Sequence, residues 1–509
     1  MRRSLRQSLN LMHTWAGILL GALLFLIFFM GSLSVFDEEI DRWMMPDTRG
    51  EARADVGYDT VLANLLPAVE VRDEPVFLYP PSQRQPVYRA NFHGPGDTHL
   101  RRFLDPATGE LLPDQGTLGA SEFFYPMHFG LHLDHFGFTQ IGYWLVGIAG
   151  MAMLALLVSG VIIHRRIFRD FFTFRLERSR GRALLDLHNV AGVMLLPFLL
   201  VITFSGIVIF SHVYMPAGIL AVYPDPDTFF HDAFPHPDRE AAGESAQTAS
   251  LDTMADRASR EWGGGELMAL GLFHPGDANG YVAMYKDTGD QVSYRYEQLT
   301  FDAASGELMH HQRLGPAMST YQFIMGLHLA KFDDWPLMWL YFLMGLGGCL
   351  VIATGFLVWL DKRVRDAGRA GYRAAQATAS AATVGLLLAT AAMLAANRLL
   401  PADMAGRAAA EVWVFFGAWG ASLLFGLWRP GLTNLRRQLQ ALALLSLSLP
   451  LLNAATTGDH LAATLWRGDW VVAGVDLCCL AATAMAWLGA RRLPAPVSGP
   501  VARPATSEA

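Results

Sequence analysis

Cysteine and charged residues are scarce in this chain. Its three cysteines, Cys349, Cys478 and Cys479, all lie in apolar stretches. They exclude a disulfide framework and the four-cysteine ligand set of an iron–sulfur cluster. Charged residues make up only 17% of the 509 residues and the net charge is -7, so no nucleic-acid partner is expected. The sequence also lacks a glycine-rich turn between a strand and a helix, and therefore any obvious flavin or nicotinamide domain.

Hydrophobic residues, by contrast, make up 52% of the chain and are concentrated in eight long blocks. Each block predicts a membrane-spanning helix, because about 20 apolar residues cross the hydrocarbon core. The first block follows Arg2, Arg3 and Arg6 but is too long for a signal peptide and lacks a cleavage site, so we expect an uncleaved anchor. The predicted spans are residues 11–36, 140–163, 188–212, 336–360, 378–396, 411–428, 435–455 and 469–490.

The loops between these spans predict the orientation of the chain. Arginine and lysine cluster after the second, fourth, sixth and eighth spans, which by the positive-inside rule places those loops and both termini in the cytoplasm. Two long loops, about 37–135 and 213–325, then lie outside. Their turn residues and short alternating runs are typical of small domains that contain strands. The predicted fold class is an α-helical polytopic membrane protein with about eight spans and two small α+β outer domains.

An internal repeat is the strongest pattern in the sequence. Gly31 follows His13 at the same interval at which Gly206 follows His188 (31 − 13 = 206 − 188 = 18). The repeat predicts that a unit of helix, outer domain and helix occurs twice, with the last four spans outside it. Its matched segments are MHTWAG from Met12 and LHNVAG from Leu187, DPATGEL from Asp105 and DAASGEL from Asp302, GLHL from Gly130 and from Gly326, and Ser159-Gly160 and Thr354-Gly355.

The repeat places four histidines in two layers. His13 and His188 stand at the cytoplasmic ends of spans one and three, and His132 and His328 stand just beyond the outer ends of spans two and four. A coordinating side chain at a membrane span indicates function, and two imidazoles can clamp one haem iron. About 24 residues, roughly 36 Å of helix, separate His188 from the outer end of its span. One haem cannot cover that distance, so two are predicted.

Other interpretations of these residues stay open. An isolated histidine at a membrane boundary is usually an interfacial polar group, and only the duplication favours ligation. Gly17 and Gly21 follow His13 on the same helix face, as Gly192 follows His188, and they either leave room for a porphyrin or pack helices together. The weaker ligand candidates are His128, which is one helical turn before His132 and could replace it or bond a haem propionate, and His164 and His212, which lack partners in the repeat.

Several segments resemble a known family. They are HRRIFRDFFTFR from His164, LHNVAG from Leu187, LPFLLVITFSG from Leu196, and the long stretch from Gly326 to Leu360. Over about residues 8–365 the chain resembles the PepSY-associated transmembrane family of iron-regulated inner-membrane proteins, and the repeated DxA[ST]GEL is similar to a PepSY hairpin. Relatives include ferrisiderophore reductases with two b-type haems in four helices. The resemblance implies two haem b groups here, with iron ligands His13 and His188 for an inner haem and His132 and His328 for an outer one.

One departure from the family pattern is Leu199, which stands where many relatives have a histidine.

The predicted domains are helix 1 at 8–36, PepSY-like domain 1 at 37–135, helix 2 at 136–164, an Arg-rich cytoplasmic loop at 165–185, helix 3 at 186–212, PepSY-like domain 2 at 213–325, helix 4 at 326–361, a four-helix module at 375–492 and a disordered tail at 493–509.

The expected function is electron transfer in a bacterial inner membrane. Electrons from a quinol or a cytoplasmic reductase would pass through two haems and reduce a ferric siderophore or another ferric chelate in the periplasm. Besides the surrounding lipid, the expected partners are therefore this donor and this chelate. The alternative is a non-enzymatic PepSY sensor or an accessory subunit of an iron-uptake system.

Overall fold

A computed structural model describes residues 4–50, 53–69, 75–94, 98–164, 179–233, 237, 239–293, 297–312, 314–331 and 333–493 of the chain. Within these ranges, seven helices are long and apolar enough to cross a membrane, and a bent pair of helices makes an eighth span. Each of the eight predicted spans therefore coincides with one of these helices or with the bent pair. Most of the predicted Arg-rich loop (165–178) and nearly all of the predicted tail (494–509) lie outside the described residues.

The chain divides into two compact units, the first formed by residues 1–358 with 402–405 and the second by residues 359–401 with 406–509. The first unit contains the two repeats. Its helices are α1 (Leu5–Leu33), α2 (Asp37–Met44), α3 (Tyr58–Leu65), α4 (Ser121–Gly130), α5 (Thr139–Ile163), α6 (Arg180–Met194), α7 (Leu196–Ile209), α8 (Ser211–Tyr214), α9 (Ala217–Leu220), α10 (Pro226–Ala233), α11 (Leu251–Glu261), α12 (Pro316–Leu329) and α13 (Trp335–Lys362), which runs on into the second unit.

The first and third spans differ although the repeat relates them. The α1 helix starts with a capping box, in which the Ser4 hydroxyl accepts from the Gln7 N–H and the Gln7 side chain accepts from the Ser4 N–H, and it continues unbroken to Leu33. The third span is bent by 63° between α6 and α7. Pro197, in the first turn of α7, has no N–H and disfavours a continuous helix. The residue that the repeat aligns with Pro197 is Ala22, which continues α1.

The strands of both outer loops form one antiparallel sheet. Its strands are β1 (Val76–Tyr79), β2 (Tyr88–Gly94), β3 (Thr98–Leu104), β4 (Leu267–Phe273), β5 (Tyr281–Lys286), β6 (Gln298–Asp302) and β7 (Leu308–Gln312), in the order β3-β2-β1-β4-β5-β6-β7. The first outer loop supplies β1–β3 and the second supplies β4–β7. Pairing of β1 with β4, with Phe77 opposite Gly271, joins the two groups. The two predicted domains therefore share a single sheet.

One face of this sheet is buried under α3 and α11. Alternate strand residues, such as Leu78, Leu270 and Val282, pack against Leu62 and Met254 of these helices in one hydrophobic core. The alternation follows from the strand period of two, which sends successive side chains to opposite faces. The remaining strand residues therefore line the opposite face.

The second unit consists mainly of helices. They are α14 (Ala370–Ser380), which continues through a π-helical turn (Ala381–Gly385) into α15 (Leu386–Leu399), then α16 (Arg407–Trp428), α17 (Leu432–Thr457), α18 (Leu461–Arg467) and α19 (Trp470–Arg492). Buried amides bond across this unit: Asn434 donates to the Ser380 hydroxyl (2.9 Å) and Gln438 to the Asn434 side chain (2.8 Å). Such bonds satisfy polar groups that the bilayer cannot.

Candidate functional site

The first histidine pair consists of His13 on α1 and His188 on α6. Their ring centroids are 6.4 Å apart and their ring planes are nearly perpendicular, at 82°. The Nδ1 atom of His13 lies 3.1 Å from the Leu156 carbonyl oxygen and 3.0 Å from the Ser159 hydroxyl, both on α5. The neighbouring helix therefore fixes the orientation of this ring.

His188 has the matching environment in the second repeat. Its Nδ1 atom lies 2.9 Å from the Val351 carbonyl oxygen and 3.3 Å from the Thr354 hydroxyl of α13. Val351 and Thr354 follow their first-repeat counterparts on α5 at one common interval (351 − 156 = 354 − 159 = 195). The duplicated sequence therefore gives a duplicated histidine environment.

The second histidine pair consists of His128 on α4 and His328 on α12, with ring centroids 5.8 Å apart and planes at 29°. The Nδ1 atom of His128 lies 2.7 Å from the Ile27 carbonyl oxygen on α1, and that of His328 lies 2.8 Å from the Ile202 carbonyl oxygen on α7. The sequence interval between these two carbonyls equals the interval between the histidines of the first pair (202 − 27 = 188 − 13 = 175). The second pair is thus also duplicated.

Glycines on the spans allow the two histidine rings of the second pair to pack closely against the helix backbone. A Cβ atom added to Gly31 would be 2.7 Å from the His128 ring, and one added to Gly206 would be 2.6 Å from the His328 ring. No carbon atom can approach so closely without displacing the ring. These are the two glycines that follow His13 and His188 at a common interval, so the repeated spacing has a structural cause.

His132, which the GLHL repeat pairs with His328, has a different position. The α4 helix ends at Gly130, and Leu131 and His132 adopt left-handed backbone conformations with φ of 57° and 54°. The His132 ring stacks on Phe123 with centroids 4.8 Å apart, and burial lowers the pKa of the ring. In the second repeat α12 continues through His328 to Leu329. The ring that the structure places beside His328 is therefore that of His128, one helical turn earlier.

Asp41 holds the start of α4, the helix that carries His128. Its carboxylate accepts from the N–H groups of Ala120 (2.5 Å) and Ser121 (3.2 Å), and from the Ser121 hydroxyl (2.6 Å). Arg101 donates to the same carboxylate over 3.2 Å. A carboxylate at this end satisfies unpaired N–H groups and interacts favourably with the helix dipole. Sequence inspection missed Asp41, because no local motif links it to a helix in a distant part of the chain.

All four paired histidines share one hydrogen-bonding mode. An Nδ1 atom next to a carbonyl oxygen must carry the proton in order to donate it, which leaves the lone pair on Nε2. This tautomer is the one that metal-binding histidines adopt, with Nδ1–H anchored to a second group and Nε2 directed to the metal. The side chains of both pairs are thus suited to bind a metal through Nε2.

Ring separations in both pairs fit a haem iron. Two imidazoles bound to opposite faces of one iron, each with a metal–nitrogen distance of about 2 Å, would place their centroids about 6 Å apart. The observed values are 6.4 and 5.8 Å. No group of three or more His, Cys, Asp or Glu side chains is arranged to hold a metal ion within the described ranges. A pair suffices for haem, because the porphyrin supplies the other four ligands.

The space beside the second pair is apolar. A cavity between the spans is lined by Ile27, Phe28, Phe198 and Phe210 as well as by His128 and His328. Its volume of about 150 Å³ is below the roughly 300–1,000 Å³ of typical ligand pockets. This cavity alone is therefore too small to enclose a porphyrin.

The remaining sequence candidates lie elsewhere. His164 follows the last residue of α5, and His212 lies in α8 against the ring of Phe230, with centroids 5.1 Å apart. Neither belongs to the two pairs. Of the glycines near the first pair, Gly17 has open space where a Cβ atom would lie, whereas a Cβ on Gly21 would be 2.8 Å from Phe356. Gly21 therefore serves helix packing.

The fold and the paired histidines define a polytopic membrane protein built by duplication of a helix–outer segment–helix unit. The chain matches the PepSY-associated TM region family over residues 11–362 and belongs to that family, as the sequence motifs predicted. It is also similar to an uncharacterized protein of Pseudomonas aeruginosa, with 30% identity over 371 residues, which cover 68% of this chain and 90% of the relative. The family match ends at the last residue of α13, before α14–α19.

Proposed function

We propose that the protein transfers electrons across a bacterial inner membrane through two b-type haems and reduces a ferric siderophore or another ferric chelate. The observation that carries the proposal is the common environment of four histidines, each with Nδ1 within 3.1 Å of a backbone carbonyl oxygen from a neighbouring helix. A histidine needed only for polarity at the membrane boundary would not require this arrangement four times.

In this proposal His13 and His188 hold one haem and His128 and His328 hold the other. Each haem supplies reversible one-electron chemistry at its iron. The four histidine side chains would hold these groups through Nε2, and the carbonyls of Leu156, Val351, Ile27 and Ile202 fix the ring orientations.

Spacing along the spans supports a relay between the pairs. On α1 the carbonyl that anchors the second pair, that of Ile27, comes about four helical turns after His13 (27 − 13 = 14). At a rise of 1.5 Å per residue this is about 21 Å. A donor on the cytoplasmic side, a quinol or a reductase, would deliver electrons to the first pair.

The test is the visible spectrum of the protein purified from membranes. We expect a b-type spectrum with two components. His128→Ala should remove one component and leave the other, whereas the neighbouring control His132→Ala should keep both. His188→Ala should remove the component that His128→Ala leaves. A colourless but folded protein would refute the proposal and favour the sensor or accessory subunit.

The direction of electron flow is tested by a second measurement. Haem reduction is followed in inverted membrane vesicles that are supplied with the physiological donor. Without the first pair, in His13→Ala, the second haem should stay oxidised. Without the second pair, in His328→Ala, the first haem should still be reduced. Rapid reduction of the remaining haem in His13→Ala would show that electrons enter from the other side.

A further inference from the structure

The face of the sheet that α3 and α11 leave uncovered forms the wall of a large cavity. Side chains that alternate with the core residues, among them Phe77, Tyr79, Arg89, Tyr281 and Tyr285, all line this cavity, which has a volume of about 1110 Å³. Both repeats contribute, because β1 and β2 come from the first and β4 and β5 from the second. The cavity is large enough for a whole chelate, since ligand pockets commonly measure about 300–1,000 Å³.

Aromatic rings give this wall flat, apolar areas. Phe273 and Tyr281 stack with their planes 8° apart and their centroids 4.4 Å apart, and the guanidinium of Arg89 lies over the Tyr79 ring at 4.2 Å. Burial raises the pKa of Tyr285 to about 12, so this phenol stays neutral at physiological pH. Such a surface can pack against the hydrocarbon portions of a ligand.

The cavity lies next to the second histidine pair. Lys331, which closely follows His328 in the sequence, lines both this cavity and the apolar one that contains His128 and His328. A ligand in the cavity would therefore be close to the proposed second haem, as electron transfer requires.

Carboxylates outnumber cations among the described residues that line the cavity. The cations are Arg84, Arg89 and Lys331, and the carboxylates are Asp37, Glu38, Asp256, Glu266, Asp287 and Asp333, a net charge of -3 (3 − 6).

Two of the cations are already paired with acids. Arg84 donates to Glu39 at 2.8 Å and lies 3.5 Å from Asp37, and Lys331 lies 3.4 Å from Asp37. Burial and the nearby carboxylate of Asp287 raise the pKa of Asp333, while Arg84 and Lys331 act in the opposite direction. These two cations therefore do not offset the combined effect of burial and of the neighbouring carboxylates on Asp333.

We propose that this cavity is the binding site for the iron chelate and that it selects neutral or cationic chelates over anionic ones. The proposal rests on the proposed function for the identity of the ligand as a chelate. Charge complementarity is its basis: a surplus of three carboxylates in a partly enclosed space attracts a cation and repels an anion.

Gallium(III) complexes test this selection without electron transfer, because Ga³⁺ keeps its charge where Fe³⁺ is reduced. The full-length protein in lipid nanodiscs is titrated calorimetrically at low, fixed salt with two complexes. One is a linear trihydroxamate that bears an ammonium group, with a net charge of +1. The other is a tris-catecholate, with a net charge of -3. We expect the cationic complex to bind at least roughly tenfold more tightly.

Variants of the cavity carboxylates test whether the charge selection arises in this cavity. The double variant Asp287→Asn with Asp333→Asn should bind the cationic complex about tenfold more weakly and the anionic complex more tightly. A matched control, Glu110→Gln with Glu307→Gln, removes two exposed carboxylates of the same sheet domain that do not line the cavity. This control should change neither affinity by more than about twofold.

Equal or tighter binding of the anionic complex, unchanged affinities in the Asp287/Asp333 variant, or no binding of either complex would overturn the inference. The haem spectrum is recorded on the same samples. Two haems without chelate binding would refute only the cavity assignment, whereas a colourless protein that binds the cationic complex would refute only the haem relay.

Discussion

Replacing Gly206 by alanine should selectively displace the haem that we propose for the second pair. The new Cβ would be 2.6 Å from Cε1 of His328, whereas non-bonded carbons need about 3.5–4.0 Å. The ring must therefore move by about 1 Å. The Nδ1 atom of His328 now lies 2.8 Å from the Ile202 carbonyl oxygen. A displacement of that size would stretch or break this bond and turn Nε2 away from the iron.

The expected size of the effect follows from this crowding. Overpacking in a well-packed site costs about 1–3 kcal/mol, which corresponds to about a 5- to 150-fold loss of haem affinity. Gly31→Ala should have a similar effect, because its Cβ would be 2.7 Å from the His128 ring. The first pair provides the control: a Cβ on Gly160 would lie 3.5 Å from the His13 ring, an ordinary contact. Gly160→Ala should therefore keep both haems.

The assay is the haem-to-protein ratio of each variant in nanodiscs, together with its reduced-minus-oxidised spectrum. Gly206→Ala should fall from two haems toward one and lose a single spectral component. Full haem content and an unchanged spectrum in Gly206→Ala would refute ligation by His328. Loss of haem in Gly160→Ala would show that the distance between the added Cβ atom and the histidine ring does not decide whether haem stays bound.

Three further predictions concern topology, modularity and the anchoring of α4. Reporter fusions after Gly280 should be external and fusions after Arg365 cytoplasmic; the same side for both would contradict the orientation. A chain ending at Arg369 should keep both haems in its spectrum, because all four paired histidines precede that residue. Asp41→Asn should destabilise the protein by about 1–2 kcal/mol, measured as a lower thermal midpoint, whereas the exposed Asp114→Asn should leave that midpoint unchanged.

Most of the membrane architecture could be predicted because hydrophobicity and length decide it locally. All eight predicted spans coincide with helices or with the bent pair. The bend itself could have been expected from Pro197, but its size depends on the helices packed around α6 and α7. Sequence spacing also indicated the glycines that the second histidine pair requires, although not which rings they would face.

The repeat pairs His132 with His328, but the structure places the His128 ring beside His328. The two GLHL segments have the same sequence. The one at Gly326 lies within α12, whereas α4 ends at the first residue of the one at Gly130. Whether Leu131 takes a left-handed conformation depends on how α4 packs, which no local pattern contains. Residues one helical turn apart project from the same face of a helix. The His128 side chain can therefore occupy the position beside His328 that the repeat predicted for His132.

The outer sheet could not have been foreseen as one structure. Each loop has the strand pattern of a separate domain, and nothing in either sequence marks β1 as the partner of β4. Edge pairing is set by backbone hydrogen bonds, which any strand of suitable length can make. The shared sheet then creates the aromatic face that neither loop would provide alone.

The seam between β1 and β4 also has a consequence for biosynthesis. Gly271 is synthesised long after its partner Phe77 (271 − 77 = 194), and two membrane spans are made between them. At about 5–20 residues per second, ribosomes need roughly 10–40 s to cover that distance. During this interval the edge of β1 that later pairs with β4 lacks that partner strand. Correct assembly of this protein therefore depends on keeping that edge available until β4 has been synthesised.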